Sequence, residues 1–250
     1  MAEAVRLTGK TLIGTAGWSI PKIDDESFPK DGSHLERYAA VLPVTEINSS
    51  FYRHHRRSTY ERWAASVPDH FRFSAKVPRS VTHFDWIDIS AKLDAFLVEI
   101  AGLGHKLGPI LIQLPPKRAF DIQEADRFLT VFRSRVDGDL ALEPRHPSWF
   151  LPGVDELLQT QRISRVAADP PPAVDSDKPG GWRGLIYTRL HGSPDIYRSS
   201  YTEDRLRALA NAVITDAASD AWCIFDNTAS YAATRNALAL ETKLGRDNRK

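Results

Sequence analysis

Cysteine and methionine are almost missing from this chain: one of each occurs in 250 residues. A single cysteine cannot close an internal disulfide, which fits a reducing compartment. Cys223 lies inside the apolar run Ala221–Phe225, with no helix start or cationic neighbour to lower its thiol pKa, so it reads as a packed, inert thiol. An excess of charge of one sign is missing too. The 33 Lys and Arg against 32 Asp and Glu do not mark a strongly basic nucleic-acid binder, although a local patch stays open. No stretch approaches the roughly 18 apolar residues of a membrane span, so no membrane partner is expected. Met1–Lys10 carries charges throughout and lacks an apolar h-region, so no signal peptide is read and a cytoplasmic protein is expected. HExxH, CxxC, P-loop, Gly-x-Gly-x-x-Gly and Gly-x-Ser-x-Gly motifs are all absent. The metalloprotease, nucleotide and hydrolase chemistries that those motifs carry lose support accordingly.

What the chain does have is a recurrence. Eight short apolar, β-like runs each end abruptly in a charged or amide residue: Thr11–Gly14, Val44–Ile47, Phe71–Ala75, Pro109–Ile112, Asp139–Leu142, Arg165–Ala168, Leu185–Thr188 and Ala221–Phe225. Near-continuous apolar runs are the mark of strands buried on both faces, as in parallel sheets. Helical patterns lie between them. Ser33 with Glu36, and Ser58 with Glu61, each have capping-box spacing and predict helices over 34–42 and 59–66. Asp121 with Glu124 predicts a third start, and Thr202 a further N-cap ahead of Leu206, Leu209 and Val213. Leu93, Phe96, Leu97, Ile100 and Leu103 keep the spacing of an amphipathic helix, and Ala232–Leu240 is alanine-rich. Alternating strands and helices imply a parallel sheet, and eight strands at this length imply an α/β protein of the (β/α)8 TIM-barrel type. The segment Pro170-Pro-Pro172 to Lys178-Pro-Gly-Gly-Trp182 has no helical period and predicts a proline-rich loop in place of the sixth helix. The chain is read as one barrel domain over 1–245 with a frayed tail over 246–250.

The strand ends and their flanks carry recognisable phrases: Gly14-Thr-Ala-Gly-Trp18, Glu46-Ile-Asn-Ser-Ser-Phe-Tyr52, Phe71-Arg-Phe-Ser-Ala-Lys76, Thr82-His83, Gly108-Pro-Ile-Leu-Ile-Gln-Leu-Pro-Pro116, Leu142-Glu-Pro-Arg-His-Pro-Ser-Trp149, Tyr187-Thr-Arg-Leu-His-Gly192 and Asp226-Asn227. In this order they resemble the DUF72 family (YecE-like proteins) from end to end. The resemblance implies a TIM barrel and no settled activity. The sequence departs from the family pattern at Ser50, where a threonine is common, and over Ser19–Phe28, which is more acidic and less aromatic. Both departures fall in loops that would set substrate preference.

In a TIM barrel the C-terminal ends of the strands form the catalytic face. Glu143, His191, Asp169 and Glu46 are the candidate catalytic residues. Lys76, Arg145, Arg189, Gln113, Asn48, Tyr52, His83, Trp149 and Asn227 are the candidate substrate contacts. Carboxylates beside cations can hold different pKa values and divide acid from base roles; the same groups can also form a layer of salt bridges that closes the barrel end. In Glu143-Pro-Arg145, the glutamate is a base, nucleophile or ligand-binding group, or else it positions Arg145. Trp149 is an aromatic wall of the site or packs beneath its loop. The two-residue period of a strand turns Arg189 and His191 to the same inward side; an arginine fork suits phosphate, sulfate or carboxylate, and a histidine moves protons near neutral pH. Gly192 is read as an opening for a ligand. Lys76 is an anion contact or an amine of lowered pKa, with Glu46 as its expected partner. Gln113, Asn48 and Asn227 suit a polyhydroxyl ligand, or tie loops down. His83 is a second proton-transfer group or fixes its loop.

Three functions follow: an acid–base hydrolase or lyase acting on a small anionic, hydroxyl-rich molecule such as a sugar phosphate; a nuclease-like, metal-assisted phosphodiesterase meeting nucleic acid through Arg53, Arg56 and Arg57; or a binding protein without turnover. No cofactor is expected. A divalent metal on Glu143, Asp169, His191 and Glu46 ranks below none, because nearby cations compete with it.

Overall fold

A computed structural model describes residues 9–174, 176–215 and 220–245, without the side chains of 213–215. The side chain of Val213 and the tail 246–250 therefore lie outside the described residues. Ten strands form one sheet: β1 (Thr11–Ala16), β2 (Val44–Ile47), β3 (Arg72–Lys76), β4 (Leu107–Gln113), β5 (Leu140–Glu143), β6 (Ile163–Arg165), β7 (Ala167–Asp169), β8 (Gly180–Gly181), β9 (Leu185–Leu190) and β10 (Asp220–Phe225). Their order is β7-β9-β10-β1-β2-β3-β4-β5-β6-β8.

The ends of that order meet within the chain. β6 pairs with β5 and β7 with β9, all in parallel, and only Val166 separates β6 from β7. One extended segment thus changes partner at Val166 and closes the barrel. The expected run Arg165–Ala168 is this segment, and the eight sequence runs are the eight staves. β8 is an antiparallel addition to β6, formed by the glycines of the proline-rich segment. No helix lies between Asp169 and Leu185 among the described residues, as those prolines require.

Among the described residues eight α-helices surround the sheet: α1 (His34–Ala39), α2 (Arg57–Ala65), α3 (Arg79–Thr82), α4 (Ser90–Ile100), α5 (Ile122–Arg133), α6 (Val154–Thr160), α7 (Glu203–Thr215) and α8 (Ala232–Lys243). Ser33 and Glu36 form the reciprocal capping box of α1. Asp121 accepts from the amides of Gln123 and Glu124 at the start of α5, and Thr202 accepts from Arg205 ahead of α7. Asp121→Ala is expected to cost about 1 kcal/mol, read by chemical denaturation. Ser58 is a correction. α2 begins at Arg57 with Arg56 as its N-cap, so Ser58 lies inside the first turn and Glu61 pairs with Arg57 instead. Leu103 also lies beyond α4, in the 3-10 turn Ala101–Lys106.

Two apolar layers result. The larger one packs the outer faces of the strands against the helices. The smaller one fills the barrel with Val44, Leu111, Ala141, Val166, Leu185, Tyr187, Trp222 and Ile224. Gly108 makes room for the Trp222 indole there, since a Cβ would stand 2.6 Å from the ring. These inward residues fix the parity of the staves that carry them. Counting on by twos from Val44, Leu111, Ala141, Tyr187 and Ile224 gives Glu46, Gln113, Glu143, Arg189 and Asp226. The polar end of the barrel follows from its apolar floor.

Candidate functional site

Arg189 is the hub of that polar end. Its Nε and Nη2 donate to the two oxygens of Glu46 at 3.0 and 2.6 Å. Nη1 donates to Glu143 Oε2 at 2.7 Å, and Nη2 also to Asp226 Oδ2 at 3.0 Å. The guanidinium and its glutamate partners are fully buried. Burial opposes a charged arginine, but Glu46, Glu143 and Asp226 outweigh it and hold its pKa well above the usual value. Tyr187 adds a donor to Glu46 Oε2 at 2.9 Å and a link to Ser74 Oγ at 2.8 Å. Burial, then the Glu46 charge, pushes that phenol far up.

His191 bridges the other side of the network. Nδ1 lies 3.0 Å from Asp226 Oδ2 and Nε2 lies 2.8 Å from Glu143 Oε1. Arg145 Nη1 is 2.7 Å from that same Glu143 oxygen and 3.0 Å from Nε2. Nε2 therefore has an acceptor in Glu143 when it carries a proton and a donor in Arg145 when it does not. Burial raises the Glu143 pKa, yet Arg189, His191 and Arg145 together bring it well below the carboxylate range. Asp226 behaves alike: burial pushes it up, and Arg189 and His191 pull it down further. Asn48 donates to Asp226 Oδ1 at 3.3 Å, while its own carbonyl oxygen is buried without a hydrogen bond.

Lys76 ends β3 one layer above this network. The register sets Glu46 opposite Ser74, so the expected Lys76–Glu46 pair does not form; Arg189 takes Glu46. The Lys76 ammonium instead lies 4.3 Å from the centre of the Phe51 ring, with no ion pair or hydrogen bond from Nζ to the described residues. It is 5% exposed. Burial, then the Arg189 charge, holds its pKa down to about 8. His83 meets the same Phe51 ring edge-on at 4.9 Å and bonds Thr82 Oγ1 through Nδ1. Burial, then Lys76, Arg79 and Lys117, lowers its pKa to about 4. Gln113, opposite Glu143 in the register, makes no side-chain hydrogen bond to the described residues.

Other expected residues stand apart. Asp169 is three residues past the inward Val166, so it faces the helices, where Arg205 of α7 binds it at 2.9 Å. Asn227 is likewise out of inward phase: its amide donates to Ser199 O and to Asn236 of α8 and ties the loop. Trp149 is fully buried and donates to Arg118 O, packing beneath its loop and not forming a wall. Gly192 has φ 92, and the group that approaches it is the chain's own Ser199 carbonyl, 2.8 Å from a built Cβ. Tyr52 stands 72% exposed at the rim. In the basic run, Arg57 pairs with Glu61 and His54 with Glu99, leaving Arg53 and Arg56 as exposed charges. Among the described residues no group of three or more His, Cys, Asp or Glu is arranged to hold a metal ion. For the expected set the reason is visible: Arg189 occupies Glu46 and Glu143, both His191 nitrogens are engaged, and Asp169 points elsewhere.

Asp226 stands at a strand end in the sequence reading but is given no role there, and Tyr187, Ser74 and Tyr197 are the residues that reading missed. Tyr197, on the loop after β9, stands edge-on to His191 at 5.6 Å and is 41% exposed. The first three were available from inward parity; Tyr197 has no sequence signal. A cavity of about 250 Å³ beside the end of β1 is lined by Thr15, Ser19, Thr228 and Thr234 among others, a hydroxyl-rich recess.

Known proteins with this chain pattern agree on the fold. A DUF72 protein from Enterococcus faecalis is 24% identical and superposes with a TM-score of 0.80, covering 94% of this chain and 96% of that one. A DUF72 protein from Thermotoga maritima, also 24% identical, gives 0.78 over 94% and 99%. YunF of Bacillus subtilis is 31% identical over 153 residues, 56% of this chain and 52% of its own length. YecE of Escherichia coli is 28% identical over 169 residues, 64% and 59% respectively. The chain thus matches only a little over half the length of these curated relatives. The DUF72 pattern, described as a protein of unknown function, matches residues 12–250. With that match across nearly the whole barrel and its polar end, the chain belongs to the DUF72 family.

Proposed function

We propose that the polar end of the barrel is an active site for acid–base chemistry, hydrolytic or lyase-type, on a small anionic, hydroxyl-rich substrate. The observation that carries this reading is the two-sided environment of His191 Nε2, held 2.8 Å from Glu143 and 3.0 Å from Arg145. A ring nitrogen that has a ready acceptor and a ready donor can gain or lose a proton without moving its neighbours, which is what general catalysis needs. Asp226 fixes the ring through Nδ1. Glu143 stays ionised throughout and stabilises positive charge on the ring.

His191 is fully buried, and Arg145 is its cover. Nη1 spans Glu143 and His191, while Nε and Nη2 make no hydrogen bond to the described residues. Its side chain is 14% exposed. An incoming anion binds the free edge of this fork and draws it off Nε2, which then faces the ligand. Tyr197 covers the ring from the other side and follows the same opening. Gln113 meets hydroxyl groups.

A thermal-shift panel of sugar phosphates and nucleotides tests binding, and product analysis of each compound that binds tests chemistry. At least one compound is expected to raise the wild-type Tm, and Arg145→Ala to abolish the shift. His191→Ala is expected to leave binding in place and lower turnover about 10²- to 10⁴-fold. Equal shifts in wild type and Arg145→Ala would overturn the anion site, and binding without turnover would leave a ligand-binding protein.

A further inference from the structure

We propose that Lys76 is a covalent residue, forming an imine with the carbonyl carbon of an aldehyde or ketone substrate held at the barrel mouth. The inference rests on the reading above only in placing a ligand there, and it adds the reactive group of that ligand.

Two buried lysines of this molecule are held differently. Lys106 is also buried, and its ammonium is satisfied by the carbonyls of Ala64 and Val67 at 2.8 and 2.7 Å. That is how a structural lysine is accommodated, since an unpaired buried charge is costly. Lys76 is buried to a similar degree and has no such partner among the described residues. Carboxylates are near enough to act on it electrostatically, but Arg189, His191 and Arg145 have them engaged. Its main chain is nonetheless held firmly, with Ser50 Oγ donating to the Lys76 carbonyl at 2.7 Å. The residue is thus positioned at its backbone and left free at its nitrogen. An amine kept dry beside an aromatic face is a better nucleophile near neutral pH than a hydrated ammonium.

His83 supplies the proton traffic. It shares the Phe51 ring with Lys76, its Nε2 has no partner among the described residues, and burial keeps it neutral at neutral pH. The neutral Lys76 Nζ attacks the carbonyl carbon, and the C=O π electrons move to oxygen. The nitrogen releases one proton to His83, which passes it to that oxygen and leaves a neutral carbinolamine. The nitrogen's second proton follows the same route to the hydroxyl, which leaves as water while the nitrogen electron pair forms the C=N bond. Amine and carbonyl become imine and water, with no change in oxidation state. An anionic group on the same substrate meets Arg145.

Reductive trapping tests this on the wild-type protein. Glyceraldehyde 3-phosphate and pyruvate, each with sodium cyanoborohydride, are expected to leave an adduct that peptide mapping assigns to Lys76, ahead of the exposed Lys22 and Lys92. Formaldehyde, which needs no recognition, is expected to methylate Lys76 faster than Lys106, whose nitrogen is tied to the carbonyls of Ala64 and Val67. Lys76→Arg should remove the adduct while the circular dichroism spectrum is retained. Methylation of Lys76 no faster than that of Lys106, or carbonyl adducts confined to exposed lysines, would overturn the proposal. Anion binding at Arg145 with no trapping defeats this inference and leaves the acid–base site standing; trapping without loss of turnover in His191→Ala does the reverse.

Discussion

Arg189→Met is expected to destabilise the barrel by about 3–5 kcal/mol, measured by urea denaturation at neutral pH. The guanidinium has no slack: all of its nitrogens donate to carboxylates, and those carboxylates belong to three different staves. Its removal leaves Glu46, Glu143 and Asp226 as like charges in a dry space. The dependence on pH should flatten as well. In the wild type the Glu143 and Asp226 pKa values lie below their ordinary positions, so the unfolded chain binds protons first on acidification. The stability they contribute is present above the ordinary carboxylate range and is lost as pH falls through the folded values. Without Arg189 the largest charge opposing burial is gone, the folded pKa values rise against His191 and Arg145, and less stability is lost as pH falls. Adding Glu46→Gln and Glu143→Gln to Arg189→Met should recover part of the loss, because removing the whole ion cluster costs less than orphaning half of it. A loss under about 1 kcal/mol, or a variant that weakens in acid as steeply as the wild type, would contradict a network held by this hub.

The staves were legible in the sequence because a strand buried on both faces must be apolar almost throughout. No local signal marked where the sixth stave changes partner, since Val166 is as apolar as its neighbours and the handover belongs to barrel closure. Caps were legible where a side chain reaches the amides it serves, as at Ser33 and Asp121. Ser58 has the same spacing, but α2 starts earlier, and spacing alone does not distinguish an N-cap from the second residue of a helix.

At the site, the strand ends were legible but their facing was not. Glu46, Glu143, Arg189 and His191 converge as the sequence suggests. Asp169 and Asn227 do not, and one rule separates the two groups: only residues in phase with the barrel's apolar interior point inward. That phase becomes visible once Val166 and Ile224 are known to lie inside. The same rule exposes Asp226, adjacent to the misplaced Asn227, and Tyr187, which reads as core because most of its surface is apolar. The pairing of Lys76 failed for a different reason. Register sets it one layer above Glu46, and the longer reach of Arg189 across the barrel wins the carboxylate.

That displaced lysine leads to the second large effect: Lys76→Met is expected to stabilise the protein while abolishing carbonyl trapping. Burial holds the Lys76 pKa at about 8 against an ordinary 10.5, and at about 1.4 kcal/mol per pH unit that difference amounts to about 3 kcal/mol against the charged form at neutral pH. Methionine has a similar length and no charge to desolvate, and it packs against the Phe51 ring through its sulfur. The sign is checkable by titration. Between pH 8 and 10.5 the unfolded lysine is protonated and the folded one is not, so wild-type stability rises with pH across that window. The variant lacks that rise, and its advantage is complete below pH 8 and fades above it. A buried cation that weakens the fold, and whose Nζ meets the Phe51 ring but no hydrogen-bond or ion-pair partner among the described residues, gains little structurally from being there. A lower Tm for Lys76→Met at pH 7 would mean that the ammonium has a favourable partner within the barrel, and the case for a reactive amine would fall with it.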